Sequence, residues 1–220
     1  DIFTDVPKIA NLGEHCIKLT STEPIRSKAY PLPYALREVV DKELESMLRM
    51  GIIEPSSAIF ASPIVLVKKP DGSNRVCVDY RKLNKITVFD PEPMPRTDEI
   101  FAELAGSKFL SKFDFSKGYW QIPMRMEDRD ATTFITHRGL FRFTVMPFGL
   151  VNAPATYSRI MRKLLNPLKH LKNYLDDVLA HTSGWGHHME TLRIFFGKVR
   201  EANLALRPSK CFVGYPTLTF

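Results

Sequence analysis

Tyr174-Leu175-Asp176-Asp177-Val178-Leu179 sets two adjacent carboxylates between runs of strand-forming residues. The flanking segments, 171–175 and 178–181, read as two strands, with the acids at the tip of the tight β-hairpin that joins them. No glycine, asparagine or proline lies within 174–179 to make that turn, so the acids call for another reason to be there. Neighbouring like charges repel, and burial penalises each. Hard divalent cations relieve both costs. Mg²⁺ prefers carboxylate oxygens together with substrate phosphates, and two such ions clamp the attacking and leaving oxygens of an in-line phosphoryl transfer. A third acid, Asp114, closes the alternating run Phe109-Leu110-Ser111-Lys112-Phe113-Asp114-Phe115. On spacing alone two readings stay open: a metal site, or an ordinary Asp-Asp turn beside an exposed strand end.

Working outward, Leu36, Val39, Val40, Leu44, Met47 and Leu48 recur at helical spacing and predict a helix over 34–50, with Gly51 at its stop. The run Pro63-Ile64-Val65-Leu66-Val67 reads as a strand, residues 68–75 as a cationic hairpin tip, and 76–80 as the returning strand. Helices are expected over 97–104, entered through Pro95, over 153–165, and over 187–202. A further hairpin is expected over 131–146, around His137-Arg138-Gly139. Residues 1–33, broken by Pro7, Pro24, Pro31 and Pro33, read as loosely structured. Hairpins are too frequent for a parallel doubly wound sheet, so the fold class is α+β, with helices against an antiparallel sheet.

The 220 residues are 44% hydrophobic and 25% charged, which excludes a disordered chain. No run approaches the ~20 apolar residues of a membrane span, so no membrane partner is expected. Three cysteines, Cys16, Cys77 and Cys211, are odd in number and far apart, which fits a reducing compartment. The net charge of +7 is unevenly spread: residues 1–150 hold 21 Lys and Arg against 20 Asp and Glu, while 151–220 hold 10 against 4. A basic final third suits a polyanionic partner. His181, His187 and His188 do not read as a zinc site, because the cysteines are remote and adjacent helical histidines point apart.

Five blocks of sequence, in order, carry a resemblance to the fingers and palm of reverse transcriptases, and to those of gypsy-type LTR retrotransposons in particular. Tyr174-Leu175-Asp176-Asp177 is similar to the family's Tyr-X-Asp-Asp box. Residues 113–122, Phe-Asp-Phe-Ser-Lys-Gly-Tyr-Trp-Gln-Ile, resemble its first catalytic-aspartate block. Residues 145–154, Val-Met-Pro-Phe-Gly-Leu-Val-Asn-Ala-Pro, resemble its nucleotide-and-template block, with the gypsy-type phenylalanine at Phe148. Residues 62–69 and 78–84 resemble the fingers. The likeness runs from about His15 to Phe212. It departs from the family at Ala131 and Thr191, where lysine and histidine are common.

The resemblance implies a right-hand polymerase: an extended segment over 1–33, fingers over 34–90 and 126–150, and palm over 91–125 and 151–220. Thumb and RNase H would be absent from these residues. It implies that Asp114, Asp176 and Asp177 are catalytic and, with the Phe115 carbonyl, hold two Mg²⁺, with Mn²⁺ as the alternative. Lys68, Arg75, Lys117, Gly118, Tyr119, Phe148 and Lys210 would bind the nucleotide. Of these, Lys68 and Arg75 would grip the triphosphate, Tyr119 would lie under the sugar, and Lys210 would protonate the leaving pyrophosphate. Arg81, Asn84, Gly149, Pro154 and Tyr174 would line template and primer. The partners implied are an RNA or DNA template with its primer, deoxynucleoside triphosphates, and the other polyprotein domains (thumb, RNase H, protease, integrase) or a dimer partner. The setting implied is the cytoplasm, within a retroelement particle. Two functions are expected from this reading: an RNA- and DNA-directed DNA polymerase domain, or a truncated or domesticated fragment that binds nucleic acid or protein without polymerising. A cyclase or nuclease on a similar palm lacks support from the finger and Pro-Phe-Gly blocks.

Overall fold

A stripe of apolar side chains builds the first helix. α1 (Tyr34–Arg49) buries Val40, Leu44 and Met47, begins after Pro33, and is closed by the Gly51 amide bonding back to Leu48. Gly51 takes φ +68°, a left-handed conformation that glycine adopts without a Cβ penalty. The computed structural model describes residues 1–220 except 70, 71, 73, 94–96, 167, 175, 176, 219 and 220, and except the side chains of 97, 99, 101 and 174. The proline expected to open the helix over 97–104, Pro95, lies outside the described residues.

The chain forms two units, one of residues 14–90 with 123–153, the other of 1–13, 91–122 and 154–220. In the first, β1 (Ile53–Pro55), β2 (Ser62–Lys68), β3 (Asn74–Val78), β5 (Phe134–Thr136) and β6 (Gly139–Phe143) form one sheet in the order β1-β6-β5-β2-β3. The two expected hairpins are present, Ile64 opposite Val78 and Phe134 opposite Phe141. Between them, β2 and β5 run parallel, so this sheet is mixed. The β5–β6 hairpin is shorter than 131–146. Ala131 and Thr132 instead close a 3₁₀ turn, Met126–Thr132. Thr132 holds it, its hydroxyl donating to the Arg129 carbonyl at 2.7 Å and accepting from the Phe143 amide at 2.9 Å. The rings of Phe134, Phe141 and Phe143 pack together in the core, and buried Tyr80 donates its hydroxyl to the Thr132 carbonyl. A short helix, α2 (Arg81–Lys85), follows β3 and was not expected.

In the second unit an antiparallel sheet has the order β7-β8-β4-β9: β4 (Phe109–Asp114), β7 (Leu171–Tyr174), β8 (Asp177–Thr182) and β9 (Phe212–Tyr215). Alternation along β4 decides its two faces. Ser111 and Phe113 are buried, while Lys112 and Asp114 are more open. Phe113 packs on Phe195 and Phe196 of α5 (Trp185–Glu201), with ring centroids 5.0 and 5.4 Å apart. α3 (Thr97–Leu104) and α4 (Ala153–Leu165) have the bounds that their periodicity predicts. β9 and the 3₁₀ turn before it, Pro208–Lys210, were not foreseen.

The N-terminal segment is less loose than its prolines suggest. It has no helix or regular strand, yet it buries Ile2, Ala10, His15 and Ile17. Isolated bridges link Phe3 to Leu206, His15 to Met124, Leu19 to Thr87 and Arg26 to Ala61. Among the described residues no helix is long and apolar enough to cross a membrane.

Candidate active site

Two carboxylates face each other across the central pair of the antiparallel sheet. β4 and β8 pair in a register that sets Asp114 directly opposite Asp177. Side chains so opposed leave the same face with Cβ atoms roughly 5 Å apart, an arrangement that is destabilising for like charges. Asp177 is therefore the first residue of β8, opposite both Tyr174 and Asp114, and not a tip residue of the hairpin. The cross-strand partner on β4 extends pairing to this position. Asp176 lies outside the described residues, as does the Tyr174 side chain.

Lysines compensate both acids. Lys112 Nζ lies 2.8 Å from Asp177 Oδ2, and Lys210 Nζ lies 3.2 Å from Asp114 Oδ2. Lys112 was not singled out from the sequence, although the strand's period of two puts it on the same face as Asp114. Lys210 is the last residue of the 3₁₀ turn, and that turn brings it to Asp114. Phe115 is placed by its neighbours: the Asp114 carbonyl accepts from the Arg207 amide, and the Ser116 amide donates to the Ala205 carbonyl. Strand alternation therefore turns the Phe115 carbonyl to the β8 side. Among the described residues no group of three His, Cys, Asp or Glu side chains could hold a metal ion. The donors present, two opposed carboxylates and a main-chain carbonyl, are all oxygens and suit a hard divalent ion.

Beyond β4 the chain turns sharply. Lys117 is left-handed, φ +49°, and its ammonium sits 4.6 Å from the centroid of the Trp120 ring. Gly118 and Tyr119 begin a 3₁₀ turn, Gly118–Gln121, and the Tyr119 ring lies 5.2 Å from that of Tyr157 on α4. Pro154 is the second residue of α4 and half-buried. The histidines near the sheet are engaged with hydroxyls: His188 Nε2 with Ser111 at 2.7 Å, His188 Nδ1 with Thr182 at 2.9 Å, and His181 Nδ1 with Ser107 at 3.1 Å. Burial pushes the pKa of both rings below the ordinary histidine value.

The other unit carries the remaining residues of interest. Lys68 and Arg75 are both exposed near the β2–β3 tip, where Lys68 faces Asn74 and Val67 faces Arg75, so they leave opposite faces of the ribbon. Residues 70, 71 and 73 of that tip lie outside the described residues. Arg81 grips Asp79 with Nε at 2.9 Å and Nη2 at 2.7 Å, which with the Tyr30 hydroxyl holds the Asp79 carboxyl far below the usual range. Asn84 is not a bare surface amide: its Nδ2 donates to the Gly149 carbonyl at 2.8 Å and its Oδ1 accepts from the Val151 amide at 2.9 Å. Asn152, missed in the sequence, does likewise for the Val88 carbonyl and the Asp90 amide. These bonds fix the loop that presents half-exposed Phe148 and Gly149, whose φ of +94° favours glycine.

A four-stranded antiparallel sheet, backed by helices, with opposed acids on its central strands, is the palm of a right-hand polymerase. Comparison with known proteins narrows this. Residues 67–220 match the model of the family described as Reverse transcriptase (RNA-dependent DNA polymerase). The chain is 39% identical over 208 residues to the Retrovirus-related Pol polyprotein from transposon 297 of Drosophila melanogaster, covering 91% of this chain and 20% of that protein. It is 33% identical over 202 residues to the Transposon Tf2-3 polyprotein of Schizosaccharomyces pombe, covering 87% of this chain and 15% of that protein. Among solved structures, the foamy viral protease-reverse transcriptase in complex with RNA/DNA hybrid aligns with a TM-score of 0.92 at 22% identity, covering all of this chain and 30% of that one. The chain belongs to the reverse transcriptase family, and its fold is the fingers-and-palm fold of those enzymes. It spans a fifth or less of the length of these curated relatives.

Proposed function

We propose that this chain is the polymerising part of a gypsy-type retrotransposon polyprotein and adds deoxynucleotides to a primer on an RNA or DNA template. The observation that carries the reading is the opposed pair Asp114 and Asp177, held on the central strands of a family-typical palm. Asp114, Asp176 and Asp177, with the Phe115 carbonyl, would hold two Mg²⁺. Such ions supply positive charge at the transferring phosphoryl group and acidify the attacking primer hydroxyl. In the palm, Lys210, 3.2 Å from Asp114, would give a proton to departing pyrophosphate. Tyr119 lies under the incoming sugar, on the turn made by Lys117 and Gly118, and Pro154 and Tyr174 line the primer-template.

The unit of residues 14–90 and 123–153 supplies the fingers in this reading. Lys68 and Arg75, although they leave opposite faces of the β2–β3 ribbon, would both reach round its tip to the triphosphate, one as a point charge and one as a planar fork. Phe148 and Gly149 shape the nucleotide pocket, Asn84 holds their loop, and Arg81 meets the template. Support for nucleic-acid partners comes from the basic segment 151–220 and from the foamy viral relative, described as complexed with an RNA/DNA hybrid. Free Cys16, Cys77 and Cys211 support a cytoplasmic setting. The test is extension of a DNA primer on a poly-ribonucleotide template with Mg²⁺ and deoxynucleotides, by the polyprotein-derived enzyme containing these residues. Templated products support the reading; binding without any extension contradicts it.

A further inference from the structure

Tyr119 stands on a support that no sequence block singles out. The Tyr157 ring packs against it, centroids 5.2 Å apart and planes inclined at 45°, and Tyr157 is buried to 3% exposure on α4. The chain beside Tyr119 makes room for this. A Cβ on Gly118 would lie 2.8 Å from Tyr157 Oη, closer than Cβ atoms come to a neighbour, and 3.1 Å from Cε2, a tight contact. Gly118 shows no left-handed conformation, so its lack of a side chain serves that close approach rather than backbone freedom. Lys117, left-handed at φ +49°, turns the chain just before Gly118 and Tyr119.

We propose that Tyr157 is a positioning residue that sets how far the Tyr119 ring stands under the sugar, and so how strictly ribonucleotides are refused, with Gly118 kept small to admit it. The inference rests on the proposed place of Tyr119 under the sugar, where its ring would collide with a 2′-hydroxyl, the group that distinguishes ribonucleotides. A gate that works by collision depends on position: a ring free to recede leaves space for a 2′-hydroxyl, and a hydrophobic pocket rejects an added hydroxyl only weakly unless its wall is rigid. Close packing denies that freedom, since interiors leave few voids for a ring to move into.

The test is a cycle of Gly118→Ala, Tyr157→Phe and the double variant, with Tyr157→Ala and Tyr119→Ala alongside, in the polyprotein-derived enzyme. For each, kcat and KM are measured with a deoxynucleotide and its ribonucleotide, and melting temperature reports folding. Tyr157→Phe keeps the ring and is expected to keep discrimination within about twofold, while Tyr157→Ala lowers it by about tenfold. Gly118→Ala is expected to lower discrimination similarly, chiefly through a smaller ribonucleotide KM. Removing the crowding hydroxyl in Gly118→Ala/Tyr157→Phe is expected to restore most of it, an interaction that independent sites do not show. Wild-type discrimination in Tyr157→Ala, or no rescue in the double variant, overturns the inference. If Tyr119→Ala itself discriminates like wild type, the assignment of Tyr119 is what fails.

Discussion

Replacing His188 with leucine tests how the palm's buried polar chain holds the sheet together. The donors run in one direction: the Gly214 amide to Ser111 Oγ at 2.9 Å, Ser111 to His188 Nε2 at 2.7 Å, His188 Nδ1 to Thr182 Oγ1 at 2.9 Å, and Thr182 to the Gly184 carbonyl at 3.2 Å. Leucine keeps much of the volume but breaks the two middle bonds at a fully buried position. At about 1 kcal/mol per bond, plus the partial desolvation left on two hydroxyls, the cost is about 2–3 kcal/mol near pH 7.5. The pH dependence has a definite sign. Burial lowers the folded-state pKa of His188, with His187 as the lesser cause, whereas the unfolded chain binds a proton at about 6.5. Wild-type stability contributed by this group is present above pH 6.5 and is lost as pH falls towards the folded pKa, by up to about 1.4 kcal/mol per pH unit. Leucine has no proton to bind. Urea unfolding at pH 7.5 and 5.5 is therefore expected to show the gap between wild type and variant shrinking by up to about 1.4 kcal/mol at the lower pH. A gap that stays constant or widens on acidification refutes a neutral, donor-ordered His188.

Asn84→Ala removes both bonds to the 149–151 backbone, about 2 kcal/mol of local support, and is expected to raise the nucleotide KM more than it lowers kcat in steady-state extension. Lys210→Met is expected to slow incorporation by about 10²-fold, read by single-turnover extension at saturating nucleotide. Binding of primer-template is expected to weaken steeply with salt, with a log–log slope near one per phosphate contacted, read by fluorescence anisotropy across a salt series.

Local signals in the sequence reached far. The 3.6-residue stripe placed α1, and α4 has the bounds its pattern predicts, because burial of one helical face is written in adjacent turns. Asp114 was legible for the same reason: an acid closing an alternating apolar strand is a local anomaly. What stayed hidden depends on register between distant segments. Nothing near Phe212–Tyr215 says that it pairs with β4, and the parallel contact of Ser62 with Phe134 crosses some seventy residues. The sequence alone puts Asp177 at a hairpin tip, because its partner Asp114 lies on another strand. Lys112 carries no local signal, and the register alone sets it beside Asp177. Nothing in the sequence sets Tyr157 apart from other helical aromatics, and the close approach at Gly118 marks it.

The central claim is that the opposed acids of the palm perform metal-assisted nucleotide addition. It is tested most directly by single-turnover primer extension with Asp114→Asn, alongside measured folding and primer-template affinity. The substitution keeps shape and removes one ligand charge from the pair. The account predicts loss of nucleotide incorporation with unfolding midpoint and template affinity near wild type. Extension by Asp114→Asn at close to the wild-type rate would contradict it.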